Sequence, residues 1–172
     1  MLQRRLCEWR ARSYGKAVSV QLRQMSSDEV SAWLPTTMDH YVAERVLSGE
    51  EPDVAQRQAT KQLEQIAPGG VPTPDHHFFW LVDGSDEVGA LWLGAPSDLA
   101  RATWFVYFVV VHNEFRERGY GRDAMLAAEQ WSKEHDGHYL ALNVFGHNYV
   151  ARNLYDSLGF APMATLMRKA LS

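Results

Sequence analysis

The sequence predicts one mixed α/β domain in which a sheet is flanked by helices. Three observations predict it. Strand-like and helix-like patterns alternate through the second half of the chain. A nearly unbroken apolar run, "TWFVYFVVV" at 103–111, is rich in aromatic and β-branched residues and reads as a central strand buried on both faces. The 172 residues fit one domain, and six Trp, seven Tyr and seven Phe supply aromatic bulk for its core.

Residues 1–16 carry a net charge of +4 and lack the apolar centre of a signal peptide. They are expected to form a flexible basic extension, with residues 17–172 as the single domain. "AVSVQL" at 17–22 alternates weakly and predicts a strand. Ser26 and Glu29 have the spacing of a capping box, and Val30, Trp33 and Leu34 follow on one helical face. Pro35 is expected to interrupt that helix. Met38, Tyr41, Val42 and Val46 continue its period and Gly49 stops it. Pro52 suits the first turn of a second helix reaching Ile66, with Ala55, Ala59, Leu63 and Ile66 on one face.

"APGGVPTPD" at 67–75 is a loop by composition. "HFFWLV" and "EVGALWL", separated by "DGSD", predict a hairpin. After the 103–111 strand, Tyr120, Ala124, Ala127, Ala128 and Trp131 mark a helical face, and Gly137 suits a left-handed cap at its end. "YLALNVF" at 139–145 predicts a strand. "HNYVARNLYDSLGF" at 147–160 predicts a helix with Gly159 past its end, and "APMATLMRKAL" at 161–171 a last strand or two.

Charge and cysteine use narrow the function classes. Cys7 is the only cysteine, so an internal disulfide and a Cys-rich zinc site are excluded and a reducing, cytoplasmic setting is expected. No apolar run approaches bilayer length, so no membrane partner is expected. The overall charge of −4 divides into −9 over residues 17–115 and +1 over residues 116–172. The acidic half reads equally as solvated helix faces or as a field that draws a cationic substrate. Residues 17–172 sum to −8, which argues against a nucleic-acid face. Asp75, His76 and His77 are not read as a metal site, because adjacent strand residues point to opposite faces. No metal is expected.

The chemistry concentrates in "RERGYGRDAM" at 116–125. A buried strand, a glycine-bearing loop and a helix start together make an anion site. Gly119 and Gly121 allow positive φ and leave no side chain to block approach. Successive amides can converge on a phosphate, and Arg116, Arg118 and Arg122 add charge. The Lys-Ser/Thr of a Walker loop and the third glycine of a dinucleotide fingerprint are both missing.

Together with a second segment, this stretch resembles the GNAT superfamily of acetyl-CoA-dependent N-acetyltransferases. Val111, Arg116, Gly119 and Gly121 are similar to that family's acetyl-CoA loop. Asn148, Ala151, Leu154, Tyr155, Gly159 and Phe160 resemble its Asn-x-x-Ala-x-x-Leu-Tyr-x-x-x-Gly-Phe signature. The close match covers roughly residues 104–169. The resemblance implies a mostly antiparallel sheet of six or seven strands whose central strands splay apart to make the acetyl-CoA cleft. It implies that the backbone of Val109, Val110 and Val111 pairs with the pantetheine arm. The pyrophosphate would rest on the loop Arg116, Glu117, Arg118, Gly119, Tyr120, Gly121 and Arg122. Asn148 would contact the cofactor, beside the small Ala151.

Tyr155 is the candidate catalytic residue. Asn148, Ala151 and Tyr155 fall on one helix face. Attack of an amine on a thioester expels a thiolate whose conjugate thiol has a pKa of about 8.5, and a phenol lies at about 10, close enough to protonate it. The proton acceptor is not evident: no acid stands between Trp104 and Val111, and Tyr107–Phe108 occupies the place where many relatives read Tyr-Asp. The leading expectation is direct acetyl transfer from acetyl-CoA, as cosubstrate, to a primary amine of a small molecule, peptide or protein, with a homodimer as the candidate assembly. The alternative is an acyl-CoA sensor or regulatory module without turnover.

Overall fold

The computed structural model describes residues 19–68, 72–96, 99, 102–169 and 171; the basic extension at 1–16 lies outside them. Five strands form one sheet in the order β1 (Gln21–Gln24), β2 (His76–Asp83), β3 (Asp86–Gly94), β4 (Thr103–Val111) and β5 (Tyr139–Leu142). The first three pairings are antiparallel and β4–β5 is parallel. Helices α1 (Ser27–Leu47) and α2 (Pro52–Ile66) precede β2, α3 (Tyr120–Glu134) connects β4 to β5, and α4 (Tyr149–Ser157) follows β5. The mixed α/β architecture agrees with the sequence. The strand count does not reach the expected six or seven among the described residues.

Two apolar cores sandwich the sheet. On one face Val30, Leu34 and Met38 of α1 pack with Ile66 against Phe78, Ala90 and Trp92. On the other, Ala124, Met125 and Ala128 of α3 pack against Phe79, Leu81, Leu91, Leu93 and Val106. The alternation of Phe78 and Phe79 between the two cores is the period-2 geometry of a strand. Burying one such large side chain is worth about 1.5–3 kcal/mol.

The N-terminal elements show why local chemistry succeeded or failed. Ser26 accepts from the Glu29 N–H and Glu29 accepts from the Ser26 N–H, so the capping box is complete. Pro35 does not interrupt α1, which runs for 21 residues through it. Its ring is exposed, while Val30 and Leu34 before it and Thr37 and Met38 after it are buried, so packing on both sides outweighs one lost backbone bond. β1 begins later than the predicted 17–22. Ser19 gives its N–H and hydroxyl to Asp123 (3.3 and 2.8 Å), so its donor serves α3 rather than a strand partner; residues 17 and 18 lie outside the described residues.

Three more expectations change. β3, not β4, is the central strand; Val88 to Gly94 are all buried, whereas β4 is mostly half-buried. Asp136 (φ 57°), not Gly137, takes the left-handed conformation after α3. Gly137 is small for another reason: a Cβ there would meet the Ser132 carbonyl oxygen and the Trp104 ring, each at 2.6 Å. Residues 161–169 and 171 form no strand, and Met163, Leu166, Met167 and Leu171 are exposed. Arg168 instead reaches back to the carbonyls of Gly49 (3.0 Å) and Ser48 (3.3 Å) at the end of α1.

Candidate functional site

β4 loses its partner halfway along. It pairs with β5 from Thr103↔Tyr139 to Val106↔Leu142, and the ladder ends there. A bulge at Tyr107 lies at the same point, because Trp92 and Leu93 of β3 oppose Phe108 and Val106. The extra residue sends both Tyr107 and Phe108 towards the α1 face, while Val106 and Val109 serve the α3 face. Beyond the bulge, β4 keeps β3 on one side and has an open edge on the other.

The direction of the backbone along that edge follows from the antiparallel ladder. His112 donates to Val88 O (2.9 Å), and a Cβ on Gly89 would run into Val110 O, so residues 110 and 112 face β3. Val109 and Val111 therefore turn their N–H and C=O to the open edge. Val111 O is taken by Arg116 Nε (3.2 Å); the polar groups of Val109 have no partner among the described residues. Of the three valines expected to share one role, Val110 has its backbone committed to β3.

The glycine loop lies directly past this edge. A 3₁₀ turn at Asn113–Phe115 leads to Glu117 (φ 63°) and Gly119 (φ 93°), both left-handed, and Gly119 caps α3. Gly121 is not in the positive-φ region that the sequence suggested; it is helical. It faces α4, and a Cβ there would be in ordinary contact with Leu154 Cδ2 at 3.4 Å. The N–H groups of residues 117 to 121 have no acceptor among the described residues. These run of free donors at the positive end of α3 are a fit for an anion.

The arginines are largely occupied elsewhere. Arg116 ties the loop to β4. Arg118 lies over the Phe115 ring, 5.6 Å from its centroid. Arg122 donates to Ser157 Oγ of α4 (2.5 Å). Tyr120 points its hydroxyl away from the loop, to Asp83 at the end of β2 (2.8 Å), and that hydrogen bond raises its pKa. Only the backbone of Tyr120 faces the anion position.

α4 supplies the other wall. Asn148 is its N-cap, with Oδ1 accepting from Ala151 N–H (3.1 Å), and its Nδ2 donors have no acceptor among the described residues. Tyr155 is half-buried among Phe160 and the α3-side core. Its hydroxyl has no hydrogen-bond partner among the described residues, and burial pushes its pKa up, so it stays a neutral phenol.

Helix α1 crosses the mouth between the two banks. On the β4 bank, Phe108 meets Trp33 and His40 edge-on, each at 5.6 Å. On the far bank, the loop after β5 presents Phe145 to Tyr41 (6.3 Å) and His147 to Glu44, Nε2 to Oε2 at 2.9 Å. Sequence reasoning did not single out Glu44 or His147. The available signal was the place of His147, one residue before Asn148. Two other readings are settled locally: His76 accepts from Trp92 Nε1 (3.0 Å) and burial lowers its pKa to about 4, while His77 packs on Trp104 and Trp131 of the opposite face. The described residues hold no cluster of three or more metal-ligating side chains. A shallow hollow of about 610 Å³ on the outer surface of α2, lined by Gln56, Arg57 and Lys61 among others, lies away from this constellation and has no catalytic geometry.

Residues 28–160 match the model of the Acetyltransferase (GNAT) family. Two proteins of Bacillus subtilis (strain 168) are similar over nearly the whole chain. The uncharacterized N-acetyltransferase YycN is 31% identical over 156 residues, covering 90% of this chain and 100% of its own. The uncharacterized N-acetyltransferase YdgE is 28% identical, covering 87% and 97%. The crystal structure of YycN superposes with a TM-score of 0.81 at 32% identity, covering 89% of this chain and 99% of that one. A complex of AAC(6')-Iy with the bisubstrate analog CoA-S-monomethyl-acetylneamine shares the fold at a TM-score of 0.53 and 16% identity, covering 89% and 98%.

Proposed function

We propose that this chain, which belongs to the acetyltransferase (GNAT) family, transfers the acetyl group of acetyl-CoA directly to a primary amine. One observation carries the reading: the open edge of β4 runs straight into the free amides of residues 117–121. A ligand suited to both has an amide-bearing arm and a pyrophosphate, which describes CoA.

In this reading Val109 and, once Arg116 moves aside, Val111 hydrogen-bond the pantetheine amides. Val110 packs from behind. The amides of Glu117, Arg118, Gly119, Tyr120 and Gly121 bind the pyrophosphate, and Arg116 and Arg122 add long-range charge. Asn148 offers Nδ2 to the arm, and Ala151 leaves it room. Tyr155, a neutral phenol without a partner among the described residues, gives its proton to the departing thiolate. Positioning of amine and thioester supplies the larger share of the acceleration. No acid on β4 takes the amine's proton.

The acceptor is a primary amine of a small molecule or peptide, drawn by the −9 charge of residues 17–115. The fold neighbour AAC(6')-Iy binds the bisubstrate analog CoA-S-monomethyl-acetylneamine, in keeping with a CoA-linked acceptor. The test is calorimetric titration with CoA, followed by thiol release from acetyl-CoA in the presence of spermidine, neamine and tyramine. Saturable CoA binding with amine-dependent release is expected. Binding without release for every amine would return the protein to the sensor reading.

A further inference from the structure

We propose that His147, held in place by Glu44, takes the proton from the acceptor amine. The inference rests on the acetyl-transfer reading above and supplies the group that β4 lacks.

The geometry assigns a role to each nitrogen of the ring. Nε2 lies 2.9 Å from Glu44 Oε2, and an ionised carboxylate only accepts, so Nε2 carries the proton of the neutral imidazole. Nδ1 is then the lone-pair nitrogen. Its neighbour is Ser48 Oγ at 3.4 Å, but that hydroxyl gives its proton to the Glu44 backbone carbonyl at 3.0 Å. The Nδ1 lone pair is therefore unclaimed. When Nδ1 gains a proton, Ser48 Oγ is already placed to accept it and Glu44 balances the charge. Both protonation states of His147 have partners waiting.

The neighbouring charges do not compete for this ring. Arg152 of α4 reaches the Gly146 carbonyl (3.3 Å), Arg168 reaches Gly49 and Ser48, and Arg45 is paired with Glu50 (2.6 Å) and Tyr41. Phe145 stacks on the ring at 5.7 Å. His147 is partly exposed, at 37%, on the loop that borders the β4–β5 gap, so an amine or one bridging water can reach it. Ser48, His147 and Glu44 stand in the order of nucleophile, base and orienting acid. Yet Ser48 sits at the carbonyl end of α1, where the field opposes an oxyanion, so the set suits proton transfer and not an acyl-enzyme.

The protons balance. The ammonium gives one proton to His147 Nδ1, which frees its lone pair to attack the acetyl carbonyl carbon. As the C–N bond forms and the C–S bond breaks, Tyr155 protonates the sulfur. A second nitrogen proton restores the phenol, the third stays on the amide, and His147 returns its own to solvent.

The test uses the full chain and two readouts. Long-range ¹H–¹⁵N spectra of the imidazoles should show neutral His147 protonated at Nε2. A neutral ring protonated at Nδ1 would overturn the proposal. In the thiol-release assay with spermidine, neamine or tyramine, His147→Gln should lower kcat about 100-fold at neutral pH. CoA affinity should hold, and the deficit should shrink as pH rises and the amine arrives as free base. Glu44→Gln keeps the hydrogen-bond shape and serves if His147→Gln unfolds; it should lower kcat while CoA affinity holds. Variants that keep the wild-type rate and profile to within about threefold would sink this assignment alone. A wild type that binds CoA but releases none with any amine would remove the transferase reading, and this inference with it.

Discussion

In the proposed reaction Tyr155 is the residue that reacts, and the two loop glycines are residues that shape the site. Tyr155 has a hydroxyl with no partner among the described residues and a pKa raised by burial, so it keeps its proton through the neutral range. Tyr155→Phe should lower kcat about 100-fold with little change in the KM for acetyl-CoA, as read by steady-state thiol release. Gly119 and Gly121 were alike in the sequence and differ in the structure. Gly119 is needed for its φ of 93°, with open space where a Cβ would go. Gly119→Ala should therefore cost about 1–2 kcal/mol of stability by denaturant titration. Gly121 faces α4, where a Cβ would reach ordinary contact with Leu154 Cδ2 at 3.4 Å and a branched side chain would go further. Gly121→Val would press on Leu154 and displace the helix bearing Asn148 and Tyr155, so calorimetry should show CoA affinity reduced at least about tenfold, a shift of about 1.4 kcal/mol.

At the scale of elements, α1 joins three tasks: its start is locked by a capping box, its middle fills a core, and its end spans the mouth of the site. Glu29 links the first task to the sheet. It accepts from Arg23 of β1 (2.8 Å), from Ser26 N–H and from Trp80 Nε1 of β2 (2.9 Å), and these donors, Arg23 first, lower its pKa to about 2. A carboxylate depressed in the folded state stabilises fully above its unfolded pKa, 4.5, and that contribution fades as pH falls through about 2. Glu29→Gln should then melt below wild type at neutral pH, and the gap should close between about pH 4.5 and about pH 2 in thermal scans. The capping box was legible because it is a contact within four residues. Pro35 was misjudged because its local penalty is outweighed by side chains packing against β2 and β3, which no local pattern reports.

For the whole molecule, the consequential feature is a field as well as a fold. The acidic half of the chain includes α1, which crosses the mouth, and on the proposed function its field steers a cationic acceptor toward it. Raising ionic strength from about 0.05 M to about 0.3 M should lower kcat/KM for spermidine several-fold and change that for tyramine less, since screening shortens the Debye length. Equal salt dependence for the two amines would remove the steering argument. No described helix is long and apolar enough to cross a membrane.

The sequence by itself determined the mixed α/β class, the hairpin, the helix starts at Ser26 and Pro52, and the two motifs around Gly119 and Asn148. Each rests on neighbours a few residues apart, where period, caps and glycines act directly. Tertiary structure alone decided the rest. It chose β3 as the buried centre, kept 161–169 and 171 from adding a strand, and turned Val109 and Val111, but not Val110, to the open edge. It also brought Glu44 to His147 across 103 positions of chain. Those outcomes depend on which surfaces meet, and a one-residue bulge at Tyr107 is enough to redirect a strand's side chains.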